Sequence, residues 1–172
     1  MTSALAPPLV GKLLQSAVAL LRAEVSALPE PLRVFHPAPG EWCAKEVIGH
    51  LIEAERRGFA GRIRIILGAD TPPLESWDPP DVARARRDCE RDAEDLLREL
   101  TRLREDSVAL VTELKPRDLE RGGAHPKVGH LRVADLLQEW VYHDRNHLKQ
   151  VLANVQAYVW PHMGNAQRFA GE

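Results

Sequence analysis

Two cysteines in 172 residues, Cys43 and Cys89, are too few for a disulfide framework. They also lack the close spacing of a zinc knuckle, so the sequence alone reads both as small buried hydrophobes. No stretch approaches the roughly 18 consecutive apolar residues that would span a bilayer. Met1-Thr2-Ser3 lacks the basic start of a secretory signal, and the expected location is cytoplasmic. Neither charge dominates: 23 Lys and Arg stand against 25 Asp and Glu, a formal net charge of -2. The basic residues lie among acidic ones, as in Glu53-Ala-Glu55-Arg56-Arg57, so neither nucleic acid nor an anionic membrane is an expected partner. A glycine-rich phosphate loop and a nucleophile elbow are both missing, which argues against nucleotide binding and serine hydrolysis.

Apolar residues instead recur in long helical rhythms, with no convincing strand. The spacing predicts four helices, over about 7–28, 42–67, 81–115 and 131–157. Pro7 and Pro8 start the first, whose inner side reads as Leu9, Leu13, Ala17, Leu20, Leu21 and Leu28. The second carries Val47, His50, Leu51, Ala54, Gly58, Gly61 and Ile65 inward and stops at Gly68. A proline-rich connection, 71–80, leads to a third helix of about 35 residues that Pro116 closes. A loop, 121–129, precedes the fourth helix, and residues 158–172 form a short tail. A chain of this length is expected to be one domain, and four amphipathic helices bury their stripes against one another as an all-α bundle. At about 50 Å the third helix would overhang its neighbours unless it bends near Ser107, and surplus apolar surface would favour a homodimer.

Seven histidines give chance about 0.3 pairs at four-residue spacing, so His143 and His147 stand out less by spacing than by facing. They continue the stripe Val133, Leu136, Leu137, Trp140, which turns both rings inward one helical turn apart. His50 occupies the inner stripe of the second helix. Three such nitrogens could share one divalent ion and leave coordination positions open, whereas three hydrogen-bonded core histidines are the ordinary alternative. Glu46 and Glu53 flank His50 at four and three residues, close enough to orient its ring or reach a bound water and assist proton transfer; pairing with arginine is the competing reading. Asp144 and Glu139 have the same standing. Trp42 could wall a pocket. His36, His125, His130 and His162 fall in loops or at helix ends, where solvation is the default.

The segment Trp42-Cys43-Ala44-Lys45-Glu46-Val47-Ile48-Gly49-His50-Leu51, with the downstream Tyr142-His143-Asp144-Arg145-Asn146-His147-Leu148-Lys149-Gln150, resembles the DinB-like superfamily of four-helix bundles. The resemblance implies a crossover connection, a homodimer, and zinc or nickel on His50, His143 and His147. It also implies a transferase that uses a low-molecular-weight thiol on an electrophile. A metal-dependent hydrolase uses the same ligands, and a stress-associated dimeric binding module with a structural metal is the third possibility.

Overall fold

Pro7 and Pro8 sit where the first-turn N–H groups would have no acceptor, and they open α1, Pro7–Ala27. The computed structural model describes residues 3–170. A single turn, α2, Glu30–Arg33, leads to α3, Ala44–Glu53, whose axis continues through a π-helical turn, Ala54–Gly58, into α4, Ala60–Gly68. The proline-rich connection runs to a short α5, Pro79–Arg86, and then to α6, Ala93–Glu113. A turn, α7, Pro116–Leu119, precedes a hairpin of β1, Gly122–His125, and β2, Gly129–Arg132, which feeds α8, Val133–Val159.

The four long rods are α1, the α3–α4 pair, α6 and α8. α1 packs against α6 and α8, and α3 packs against the same two, so the first and second rods stand diagonally across the bundle. A chain running between diagonal rods crosses the bundle end, which a simple up-and-down order does not do. One core cluster joins Leu21, Val47, Ile48, Leu96 and Leu100; a second joins Leu14, Ile63, Val111, Leu136 and Trp140.

Four expectations change. The third rod is 21 residues long, because Arg87 takes a left-handed conformation (φ 53°) and a 3₁₀ turn, Asp88–Glu90, separates α5 from α6. The overhang argument for dimerisation therefore falls, and the break lies well before Ser107. Its cause is tertiary: a Cβ on Gly49 would sit 1.7 Å from Asp88 Oδ2, so only glycine lets this turn bury Asp88 against α3. Second, a hairpin exists where no strand was expected, and Leu74 N–H and Ala124 N–H donate to Ala124 and Pro72 carbonyls to tie the proline-rich connection to it. Third, the inner face of α1 is Val10, Leu14, Ala17, Val18, Leu21 and Val25, while Leu9, Leu20 and, on α4, Ile65 are exposed. Fourth, His125 is buried in β1, its Nε2 3.1 Å from Arg62 Nη2, rather than solvated in a loop.

The π turn is also required by packing and by a glycine. Phe59 N–H reaches back five residues to the Ala54 carbonyl at 2.7 Å, and a Cβ on Gly61 would meet the Arg56 carbonyl at 2.0 Å. Such turns commonly mark functional sites. This one swings Phe59 against Trp140, rings stacked at 5.0 Å, and turns Glu55 into the bundle interior.

Candidate metal centre

α3 contributes His50 and α8 contributes His143 and His147, and one nitrogen from each lies within 4.8 Å of the other two. His50 Nε2 and His143 Nε2 are 2.9 Å apart. The ring centroids of His147 stand 4.4 Å from both of the others. Two nitrogens bound to one zinc ion at about 2.0–2.1 Å lie about 2.9 Å apart at a right angle and about 3.3 Å apart at a tetrahedral one, so the spacing suits a shared ion.

The outer ring nitrogen of His147 decides which way its lone pair faces. His147 Nδ1 lies 3.0 Å from Gln150 Oε1, an acceptor that places the proton on Nδ1 and leaves Nε2 free for a cation. His143 Nδ1 stands 3.7 Å from Asp144 Oδ1, beyond hydrogen-bond distance, and is buried without a partner. His50 Nδ1 is buried without a partner. The close approach of the His50 and His143 Nε2 atoms, beside a His147 Nε2 that Gln150 leaves free, makes a set of imidazole donors that fits a divalent metal. Burial, reinforced by His147 and His143, drives the His50 pKa down to about 2. Burial and then His143 drive His147 down to about 4, so both are neutral, the ligand form, at pH 7.

Aromatic rings wall the triad. Trp42 lies 4.9 Å from His50 and 6.1 Å from His147, Trp77 stacks on His50 at 5.6 Å, and Phe59 meets His143 edge-on at 5.0 Å. His50 is 7 % exposed, while His143 and His147 are half-buried, which leaves one side open. Among the described residues no fourth protein ligand joins the three.

Behind His143 lies a buried ionic chain. Arg104 Nη1 donates to Asp144 Oδ2 at 2.5 Å and to the Leu14 carbonyl at 3.0 Å, and its Nη2 is 2.6 Å from Glu55 Oε1. Ser107 donates to the other Glu55 oxygen. Burial alone would raise the Asp144 pKa, but Arg104 and His143 together hold the carboxylate below its ordinary value. For Glu55 burial prevails over Arg104 and the pKa is raised.

The two candidate proton-transfer residues stand apart from the triad's ligand set. Glu53 is buried, with Oε1 2.6 Å from Arg86 Nη1 and 3.3 Å from Arg56 Nη1, and Oε2 2.7 Å from Arg57 Nη2. Glu46 Oε2 accepts from Cys43 N–H at 2.9 Å and lies 2.9 Å from His36 Nε2. Glu139 is an exposed residue on α8, and Asp144 backs the site. Sequence reasoning missed Trp77, Phe59, Gln150 and the Arg104 chain. The one available signal was a tryptophan set among prolines; the ionic chain joins three helices and has no local signature.

Comparisons with known proteins bear on the family and the fold. The family model of the DinB superfamily matches residues 13–151. A protein of Oceanobacillus iheyensis named "Putative metal-dependent hydrolase" is 22% identical over 121 residues, 70% of this chain and 69% of its own length. Among solved structures, YfiT from Bacillus subtilis, described as "a probable metal-dependent hydrolase with an unusual four-helix bundle topology", superposes with a TM-score of 0.80 at 19% identity, covering 87% of this chain and 86% of that one. The diagonal bundle, the histidines on its second and fourth rods and the match over residues 13–151 converge on one assignment: this chain belongs to the DinB superfamily.

Proposed function

We propose that the protein is a metal-dependent hydrolase of small esters or amides, with zinc or nickel held by His50, His143 and His147. One observation carries the reading: three imidazoles converge with no fourth protein ligand among the described residues, on a side that stays open. A structural site encloses its ion with four protein ligands, whereas a catalytic site keeps a position for water or substrate. Bound there, a divalent ion supplies Lewis-acid polarisation and brings the pKa of bound water toward neutrality. Trp42 and Trp77 wall the site with flat apolar faces that a substrate could meet, and the buried Phe59 backs His143. Gln150 orients the His147 ring, and Asp144 lies behind His143. Glu53, held by three arginines, fixes the end of α3 in this reading, and Glu46 fixes its start.

Transfer of a low-molecular-weight thiol, the activity that the resemblance implies, would use the same three ligands. The names borne by the two relatives favour hydrolysis. Zinc- or nickel-loaded protein assayed on nitrophenyl esters and anilides, with and without bacillithiol, glutathione and mycothiol, separates the readings. Thiol-independent, metal-dependent release is the expected result; strictly thiol-dependent turnover would replace hydrolysis with transfer, and fully loaded but inert protein would leave a binding module. Self-association belongs to the same reading, with Leu9 and Leu20 exposed on α1. Light scattering that reports a monomer at tens of micromolar would count against it.

A further inference from the structure

The two cysteines are not the separate core residues that their 46-residue spacing suggests. Cys43, fully buried, caps α3, and Cys89 lies in the 3₁₀ turn that replaces the middle of the expected third helix. Two features bring that turn onto α3. Gly49 leaves room for Asp88, and the buried Lys45 ammonium donates to the Cys89 and Arg91 carbonyls at 3.1 and 2.8 Å. His36 and Glu46 complete a group in which one ligand atom from each of the four residues lies within 4.8 Å of all the others.

We propose that His36, Cys43, Glu46 and Cys89 form a second metal site, separate from the imidazole triad, that takes a thiophilic divalent cation of the zinc class. Four ligands of this kind, two sulfurs, one imidazole and one carboxylate, are what a tetrahedral zinc ion accepts, and thiolates select zinc over magnesium or calcium. The distances are close to those required. Cys89 Sγ is 3.8 Å from His36 Nε2, against about 3.6 Å for sulfur and nitrogen on one tetrahedral zinc. His36 Nε2 is 2.9 Å from Glu46 Oε2. The Cys43 N–H bond to that same oxygen orients the carboxylate, as outer hydrogen bonds do around metals.

An entry path exists as well. His36 and Glu46 line a cavity of about 490 Å3, with Trp42 and Gln150 also on its wall. Gln150 lies 3.0 Å from His147 Nδ1, so one residue separates this cavity from the imidazole triad. The sites cannot share an ion: Cys43 and His50 are seven residues apart on one helix, about 10 Å along its axis.

Cobalt(II) added to the reduced, metal-stripped protein tests the proposal. A thiolate–cobalt pair gives a near-ultraviolet charge-transfer band that an all-histidine site cannot produce. The expected result is that band, saturating at one ion per chain in His50→Ala, and its loss in Cys89→Ser together with one of the parent's bound ions. His36→Ala, at a half-exposed ring, should weaken the band's apparent affinity on the order of tenfold or more with the far-ultraviolet circular dichroism unchanged. Absence of the band in parent protein whose two thiols are verified free would overturn the proposal. So would its survival in Cys89→Ser, or a Cys43–Cys89 disulfide that yields, after reduction, protein unable to bind cobalt through sulfur.

Discussion

Arg104 on α6 places one guanidinium nitrogen 2.5 Å from Asp144 of α8 and the other 2.6 Å from Glu55 of the π turn, with all three side chains at most 3 % exposed. No lysine or other arginine pairs with either carboxylate among the described ion pairs, and Asp144 in turn faces His143. Replacing Arg104 with Met would leave two buried carboxylates without their partner. Loss of one member of a buried pair costs about 3–5 kcal/mol, so urea unfolding should show a reduction of that order. Because Asp144 backs His143, metal affinity in the surviving folded fraction should fall as well, by about 10- to 100-fold.

The approach of the Asp88 turn to α3 depends on Gly49. A Gly49→Ala change would drive its methyl group into Asp88 and displace a turn that Arg86 and Arg91 hold in place. Overpacking of this kind costs about 1–3 kcal/mol, and the thermal midpoint should drop accordingly. Gly68→Ala is the control: nothing lies within 4 Å of its added Cβ, and the variant should match or slightly exceed the parent.

These contacts also explain what the sequence discloses and what it withholds. The helix in α1 and α8 is legible because prolines or a sustained 3/4 stripe mark them, and the stripe through Trp140 turns His143 and His147 inward as the rhythm requires. The break at Arg87 is not legible. Residues 84–92, Arg84-Ala85-Arg86-Arg87-Asp88-Cys89-Glu90-Arg91-Asp92, contain neither glycine nor proline, and burial of Asp88 against a glycine 39 positions earlier overrides a locally helical preference. The hairpin is similarly hidden. Gly122-Gly123-Ala124-His125 has no alternating apolar pattern, and it acquires order from β2 and from the proline-rich connection. The meeting of Cys43 with Cys89 follows from that same break and could not be read before it.

The metal-free protein should lose stability on mild acidification. Folding lowers the pKa of His50 to about 2 and of His147 to about 4, below the ordinary value of about 6.5. In the window below 6.5 the unfolded chain therefore binds more protons than the folded one, and stability falls with pH. Urea midpoints of metal-free protein at pH 7 and pH 5 check this, with the lower midpoint expected at pH 5. The difference should shrink in the His50→Ala variant.

Trp42 and Trp77 lie within 6 Å of His50, centroid to centroid. Binding of nickel or copper should quench tryptophan emission strongly. Trp42→Phe combined with Trp77→Phe should remove most of that response, while Trp160→Phe, at an exposed position beyond α8, should leave it intact.

The central claim, one ion shared by imidazoles from two helices, is tested most directly by elemental analysis in a Cys89→Ser background, where the thiol cluster does not contribute. His50→Ala, His143→Ala and His147→Ala should each purify helical but with little zinc or nickel, and His162→Ala should retain the parental content. Full metal content in His50→Ala would reduce the site to the α8 pair and contradict the account.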